Sequence, residues 1–180
     1  MPSSEREIMS PDLFKHYVAG RNQARFRTGE STYTSDPSLP GFKVFKWQNP
    51  DLPFLYEDRF ADNPERPGNF GGFEINRANS EKREMLTFYN YSGGLTEEGL
   101  KVGEIEIYDN VLQSFLEEHV EEVRFGKNVR FTIEDKVGTW VYEGKGNTEY
   151  YGWVDDESIT LNGSEVYKLR GTGLVFVPGF

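Results

Sequence analysis

The chain has 180 residues, with 30 acidic against 20 basic side chains, a formal charge of −10 and no cysteine. That length suits one ordinary domain with a substantial core; the charge repels phosphate backbones and argues against direct nucleic-acid binding; the missing thiols exclude disulfides, thiolate metal sites and cysteine nucleophiles. Hydrophobic residues make up only 36% but aromatics 15%, so Phe, Tyr and Trp supply much of the buried area, and 19 Gly with 9 Pro favour sheets and turns over a helical bundle.

Residues 1–10 read as a polar tail. With Glu5, Arg6 and Glu7 and no apolar segment it does not resemble a secretory signal, and the chain holds no run of about 18 apolar residues to cross a membrane. A cytoplasmic location is the expectation. Ser10-Pro11-Asp12 supplies a helix start, and Leu13, Phe14, Tyr17 and Val18 share one face, which predicts a helix over 11–22. The breakers Gly29, Pro37, Pro40 and Gly41 lead into a strand at Phe42–Trp47, followed by a turn at Asn49-Pro50-Asp51. Phe54–Phe60, Phe70–Ile75 and Met85–Tyr91 read as the strands of a meander.

Val111, Leu112, Phe115, Leu116, His119 and Val123 then recur at helical spacing, with Gln113, Glu117, Glu118, Glu121 and Glu122 facing away, which predicts a second helix over about 109–123. Val129–Ile133, Thr139–Glu143, Tyr150–Val154, Ser158–Leu161, Glu165–Leu169 and Leu174–Val177 return to strand character. Asn162-Gly163 is a tight hairpin turn.

One pattern occurs twice. Leu55-Tyr56, Phe70-x-Gly72-x-Glu74, Tyr89 and Gly93 line up with Val141-Tyr142, Trp153-x-Asp155-x-Glu157, Tyr167 and Gly171. The repetition predicts an α+β domain over 11–180 in which a helix-plus-antiparallel-strands unit is duplicated, about 11–95 and 108–177. The units would form one curved sheet or two facing sheets with two covering helices.

These pieces, in this order, resemble DUF5680, a family of uncharacterised bacterial and archaeal domains. The resemblance is carried by Leu55-Tyr56-Glu57-Asp58, Phe70-Gly71-Gly72-Phe73-Glu74-Ile75, Asn90-Tyr91-Ser92-Gly93-Gly94, the helix near 109–123, Glu157-Ser158-Ile159, Val166-Tyr167 and Gly171-Thr172-Gly173. It spans about Leu13 to Val177 and implies no established activity. The chain departs from the pattern at Asp155, where Gly is favoured, and in the polar insert Asn76–Glu84.

Glu74 and Glu157 occupy equivalent places in the two copies. Facing one cleft they would bind a cation, work as acid and base, or share a divalent metal; otherwise each accepts hydrogen bonds from its neighbours and only fixes structure. Tyr56, Tyr89, Tyr91, Trp140, Tyr142 and Trp153 lie on strands, where alternate side chains reach one face, and would line an aromatic cleft or fill the core. His16 and His119 sit on the two helices without metal-ligand spacing and read as helix-surface or boundary residues. Gly71-Gly72 and Gly93-Gly94 are followed by no Gly-Lys-Ser/Thr and read as bulges or turns, and no Gly-x-Ser-x-Gly elbow is present.

No metal or cofactor is implied. The leading expectation is a noncatalytic small-molecule-binding or interaction module with an aromatic and acidic cleft for a small cationic or aromatic ligand. The alternatives are an enzyme using Glu74 and Glu157 as general acid and base, and a structural domain presenting the acidic face of Glu117, Glu118, Glu121 and Glu122 to a basic protein partner.

Overall fold

Helix α1 runs from Pro11 to Arg25, and Ser10 starts it by accepting the Leu13 N–H on Oγ at 3.3 Å. The computed structural model describes residues 9–25, 33–149 and 151–176; the tail up to residue 8, the breaker Gly29, Tyr150 and Val177 lie outside the described residues. Five strands follow α1: β1 (Thr34–Ser35), β2 (Lys43–Gln48), β3 (Phe54–Asp62), β4 (Asn69–Ala78) and β5 (Met85–Leu95). A helical connection comes next, made of α2 (Glu97–Val102), a π-helical segment over Ile105–Leu112, and α3 (Gln113–Glu118). The chain closes with β6 (Val129–Glu134), β7 (Thr139–Glu149), β8 (Gly152–Leu161) and β9 (Ser164–Val175).

All these strands pair antiparallel in one nine-stranded sheet of order β1-β2-β3-β4-β5-β9-β8-β7-β6. The meanders β2–β5 and β6–β9 meet where β5 runs against β9, with Tyr91 opposite Gly171 and Tyr89 opposite Gly173. Asn162 and Gly163 both take positive φ, 50° and 85°, the conformation a two-residue hairpin turn of this composition adopts.

The expectation of a duplicated helix-plus-strands unit with two covering helices is overturned. The chain is mostly one nine-stranded sheet, 48% strand and 22% helix. The helical parts of the two halves differ in kind. One is a single 15-residue helix, whereas the other is cut into pieces of 6, 8 and 6 residues. Gly103 at φ 113° ends α2, and the next helical segment starts at Ile105, four residues before the predicted 109. Helicity stops at Glu118, so that Val123 is buried from a turn and not from a helix. Two strand breaks predicted in the second half are also absent. Gly152–Leu161 and Ser164–Val175 each run through unbroken: at the first expected gap Asp155 and Glu157 point into the core and not into a loop, and at the second Arg170–Gly173 pair with both β5 and β8.

The core lies on one face of the sheet, under α1 and the helical connection. Phe45, Tyr56, Tyr89, Tyr91, Trp140, Tyr142, Trp153 and Tyr167 from six strands share it with Leu13, Tyr17, Ile107 and Phe115. Burying each such ring removes roughly 150–250 Å² from water, and at about 25 cal/mol per Å² this is the main stabilising term of a chain poor in aliphatic residues. Close approach needs missing side chains: a Cβ on Gly20 of α1 would stand 2.4 Å from the Tyr56 ring, so α1 rests directly on β3 at that point.

Candidate functional site

Side-chain alternation puts Tyr56, Asp58 and Phe60 of β3 on the core face, opposite Trp47, Phe45 and Lys43 of β2. Asp58 is buried there. Its Oδ1 accepts the Tyr91 hydroxyl at 2.7 Å and its Oδ2 the Tyr33 hydroxyl at 2.6 Å. Tyr91 stands two strands away, on β5, and reaches Asp58 only because β4 has no side chain beneath it. A Cβ on Gly72, its register partner, would lie 2.6 Å from the Tyr91 oxygen. Gly71 and Gly72 are therefore neither bulge nor turn; both lie in regular β4 pairing.

Around this carboxylate the chain builds an aromatic wall. Tyr33 meets Phe60 edge-on at 4.9 Å, and Phe70 meets Tyr91 at 6.1 Å and Tyr108 at 5.9 Å, also edge-on. Tyr108 comes from the π-helical segment and donates its hydroxyl to the Gly68 carbonyl; burial, with the charges of Glu104 and Asp62 adding to it, raises its pKa. The result is a cleft of about 300 Å³ lined by Tyr33, Phe60, Phe70, Tyr91 and Tyr108, the apolar Ala24, Leu112 and Leu116, Gln113, the carboxylates Asp58, Asp62 and Asp109, and Arg124. Small-molecule pockets begin at about this size.

Arg124 adds no free cation to the cleft. Its guanidinium grips Glu157 through Nε and Nη2, and Glu157 also accepts the Tyr142 hydroxyl at 2.8 Å. The backbone of Arg124 is held at φ 62°, a left-handed conformation that a non-glycine residue adopts at a cost. That conformation turns its carbonyl to two donors, Trp153 Nε1 at 3.0 Å and Arg21 Nη1 at 3.1 Å. Arg21, on α1, is itself buried and bound to Glu74 at 2.7 Å. It also lies 4.4 Å over the Tyr17 ring and 4.3 Å over the Phe125 ring.

Tyr89 mirrors Tyr91. It leans across β9 over Gly171, where a Cβ would stand 2.0 Å from its oxygen, toward Asp155 of β8, the register partner of Gly171. Asp155 Oδ1 accepts the Gly126 N–H at 2.8 Å, while Oδ2 and the Tyr89 oxygen make no hydrogen bond of normal geometry. Burial pushes the Asp155 pKa up to about 7; the Gly126 N–H opposes the rise and the Glu157 charge adds to it.

All eight residues singled out from the sequence, Tyr56, Glu74, Tyr89, Tyr91, Trp140, Tyr142, Trp153 and Glu157, are buried on this one face. Of these only Tyr91 lines the cleft. Glu74 and Glu157 are joined through Arg21 and Arg124 inside the core and do not meet across open space. His16 is not a surface residue: it is fully buried, stacked on Trp47 at 5.0 Å. His119 is partly exposed and lies flat on Phe131. Sequence reasoning missed Asp58, Phe60 and Asp62, although the alternation that selects Tyr56 continues through all of them along β3. It also missed Tyr33, Tyr108 and Arg124, which no spacing connects to the strands.

A second groove, of about 640 Å³, opens on the other face over β7, β8, β9 and β5. Its charges are largely spent on one another, with Lys145 on Glu143 at 3.2 Å, Lys168 on Glu165 at 3.6 Å and Arg170 on Asp156 at 3.5 Å. The smaller cleft, with three carboxylates, an aromatic wall and a buried end, is the better candidate. Among the described residues no group of three His, Asp or Glu side chains is placed to hold a metal ion, and no helix is long and apolar enough to cross a membrane.

Comparison with protein-family models, with curated proteins and with solved structures gives no match.

Proposed function

We propose that the protein is a noncatalytic binding module that holds a small organic cation with an apolar or aromatic body in the cleft around Asp58. One observation carries this reading: the hydroxyls of Tyr33 and Tyr91 converge on the Asp58 carboxylate at the buried end of a cleft whose other walls are aromatic. Aromatic faces attract a cation within about 6 Å of the ring centroid, by about 0.5–2 kcal/mol each according to desolvation. Asp58, Asp62 and Asp109 add negative charge; Asp62 is paired with the exposed Lys43 at 3.1 Å, and Arg124, the one cation in the lining among the described residues, is neutralised by Glu157.

The catalytic alternative has less support. Glu74 and Glu157 are each bound to an arginine, and Asp155, whose pKa burial raises to about 7, is not part of the cleft wall. General acid–base work needs such a group within hydrogen-bond reach of the substrate.

The test is titration of the protein with choline, benzylamine and tryptamine, followed by calorimetry and by chemical shifts, beside the neutral analogue 3,3-dimethylbutanol. At least one amine binds in the millimolar range or tighter, the neutral analogue binds about tenfold more weakly, and Asp109→Asn on the exposed rim lowers affinity several-fold. Equal binding of charged and neutral analogues, or no shift at Tyr33, Phe70 and Tyr108 with any amine, would sink the reading.

A further inference from the structure

The sheet has two ends, and they are built differently. At one end β2 is partly covered by β1, which pairs with Lys43 and Val44, and β2 carries two exposed lysines, Lys43 and Lys46, one on each face. Lysines on an edge strand discourage pairing with another chain. At the other end β6 is bonded to β7 along one side, and among the described residues no strand covers its other side. Its six residues alternate cleanly, with Arg130, Thr132 and Glu134 exposed and Val129, Phe131 and Ile133 half-buried on the core face.

That sequence is complementary to itself when read in the opposite direction. Two β6 strands laid antiparallel about Thr132 set Arg130 against the partner's Glu134, and Glu134 against the partner's Arg130, on the outer face. On the inner face Phe131 meets the partner's Ile133 twice. Opposite charges and apolar pairs directly across an antiparallel ladder stabilise it, and like charges destabilise it. A shift of one residue in either strand loses both ion pairs and turns the apolar row out of register with its partner row. Glu134 has no cation within ion-pair distance among the described residues, while Arg130 touches Glu143 only loosely, at 3.4 Å.

We infer that β6 is a homodimerisation edge, where two copies of this chain join antiparallel about Thr132 into one continuous sheet. The contact is isologous and closes on itself, so it stops at two copies. Because each chain carries −10, moderate salt strengthens the dimer by screening the long-range repulsion.

The charges give a test that separates this contact from any other. Sedimentation equilibrium of the full chain at up to about 0.5 mM in moderate salt finds twice the 20.7 kDa of one chain. Arg130→Glu and Glu134→Arg each set like charges opposite one another and raise the dissociation constant at least about tenfold. Mixing the two variants restores association, because a strand with two Glu then faces a strand with two Arg. Thr132→Lys, which does not involve Glu143, weakens the dimer independently by facing two lysines across the twofold. Far-UV dichroism shows that each variant is folded. A wild type that stays monomeric throughout, single variants that dimerise as well as the wild type, or a mixture no better than its components would each overturn the inference.

Discussion

Arg21 donates from Nη1 to the backbone carbonyl of Arg124 at 3.1 Å, so the two arginines that neutralise Glu74 and Glu157 are themselves connected. One comes from α1 and the other from the turn after α3, and the two glutamates come from different halves of the sheet. The link is a buried polar spine crossing the seam between β5 and β9. Such a spine is costly to desolvate, and its value lies in being fully paired.

Removing one partner therefore destabilises more than removing both. Glu74→Gln leaves the Arg21 guanidinium, which is only 2% exposed, without its carboxylate and costs about 3–5 kcal/mol in urea unfolding. The double change Arg21→Met with Glu74→Leu recovers part of that loss, since no charge is stranded, although the Val123 carbonyl and the Tyr17 hydroxyl lose the donor that Arg21 supplied. If the double variant is as unstable as the single one, the cost comes from lost shape and not from the stranded charge.

This spine also shows where sequence reading stops. The strands are legible because β-formers alternate with period two, and the Asn162-Gly163 hairpin because its turn residues tolerate positive φ. The equivalence of Glu74 and Glu157 is legible too, as two carboxylates on inward positions. Their partners are not: Arg21 sits on α1 among residues that look solvated, and Arg124 follows a helix that ends five residues earlier than its apolar spacing predicts. Which cation reaches which carboxylate depends on how α1 crosses the sheet. That crossing is set by the contact of Gly20 with Tyr56, which no local pattern encodes. For the same reason the cleft is only half-visible in the sequence, along β3.

Asp155 makes stability fall as pH rises. Its ordinary pKa is 3.8 and burial lifts it to about 7 in the fold, so the folded chain holds a proton there that the unfolded chain releases. The stabilisation is complete below about pH 3.8 and is lost as pH climbs through about 7, a difference on the order of 4 kcal/mol. Asp155→Asn keeps an oxygen for the Gly126 N–H and cannot ionise. Compared by urea unfolding, it matches the wild type near pH 4 and exceeds it by a few kcal/mol at pH 8. Parallel pH profiles for the two proteins would show that Asp155 is solvated and ionises freely.

The spacing of Gly171 and Gly173 is a packing requirement on β9. Trp153 stacks on Tyr89 at 5.8 Å with the ring planes 8° from parallel, and a Cβ on Gly173 would stand 2.1 Å from the Trp153 ring. Gly173→Ala therefore forces the stack apart and lowers stability by about 1–3 kcal/mol or more. Thr172→Ala, on the exposed outer face between them, changes it by less than about 0.5 kcal/mol. Thermal unfolding separates the two, and equal small effects would mean that the stack is loose.

His16 acts in the opposite sense to Asp155. Neither ring nitrogen has a hydrogen-bond partner among the described residues, and the ring packs against Trp47 and Phe54. Burial lowers its pKa from 6.5 to about 4, so the neutral form is the one the fold accepts. The stability that comes from keeping it neutral is complete above pH 6.5 and is lost as pH falls toward about 4. His16→Phe preserves the stack and removes the titration. It lies within about 1.5 kcal/mol of the wild type at pH 7 and becomes the more stable of the two at pH 5. Melting temperatures at both pH values check this, and a difference between the proteins that does not grow on acidification would mean that His16 finds a proton acceptor or water in the folded chain.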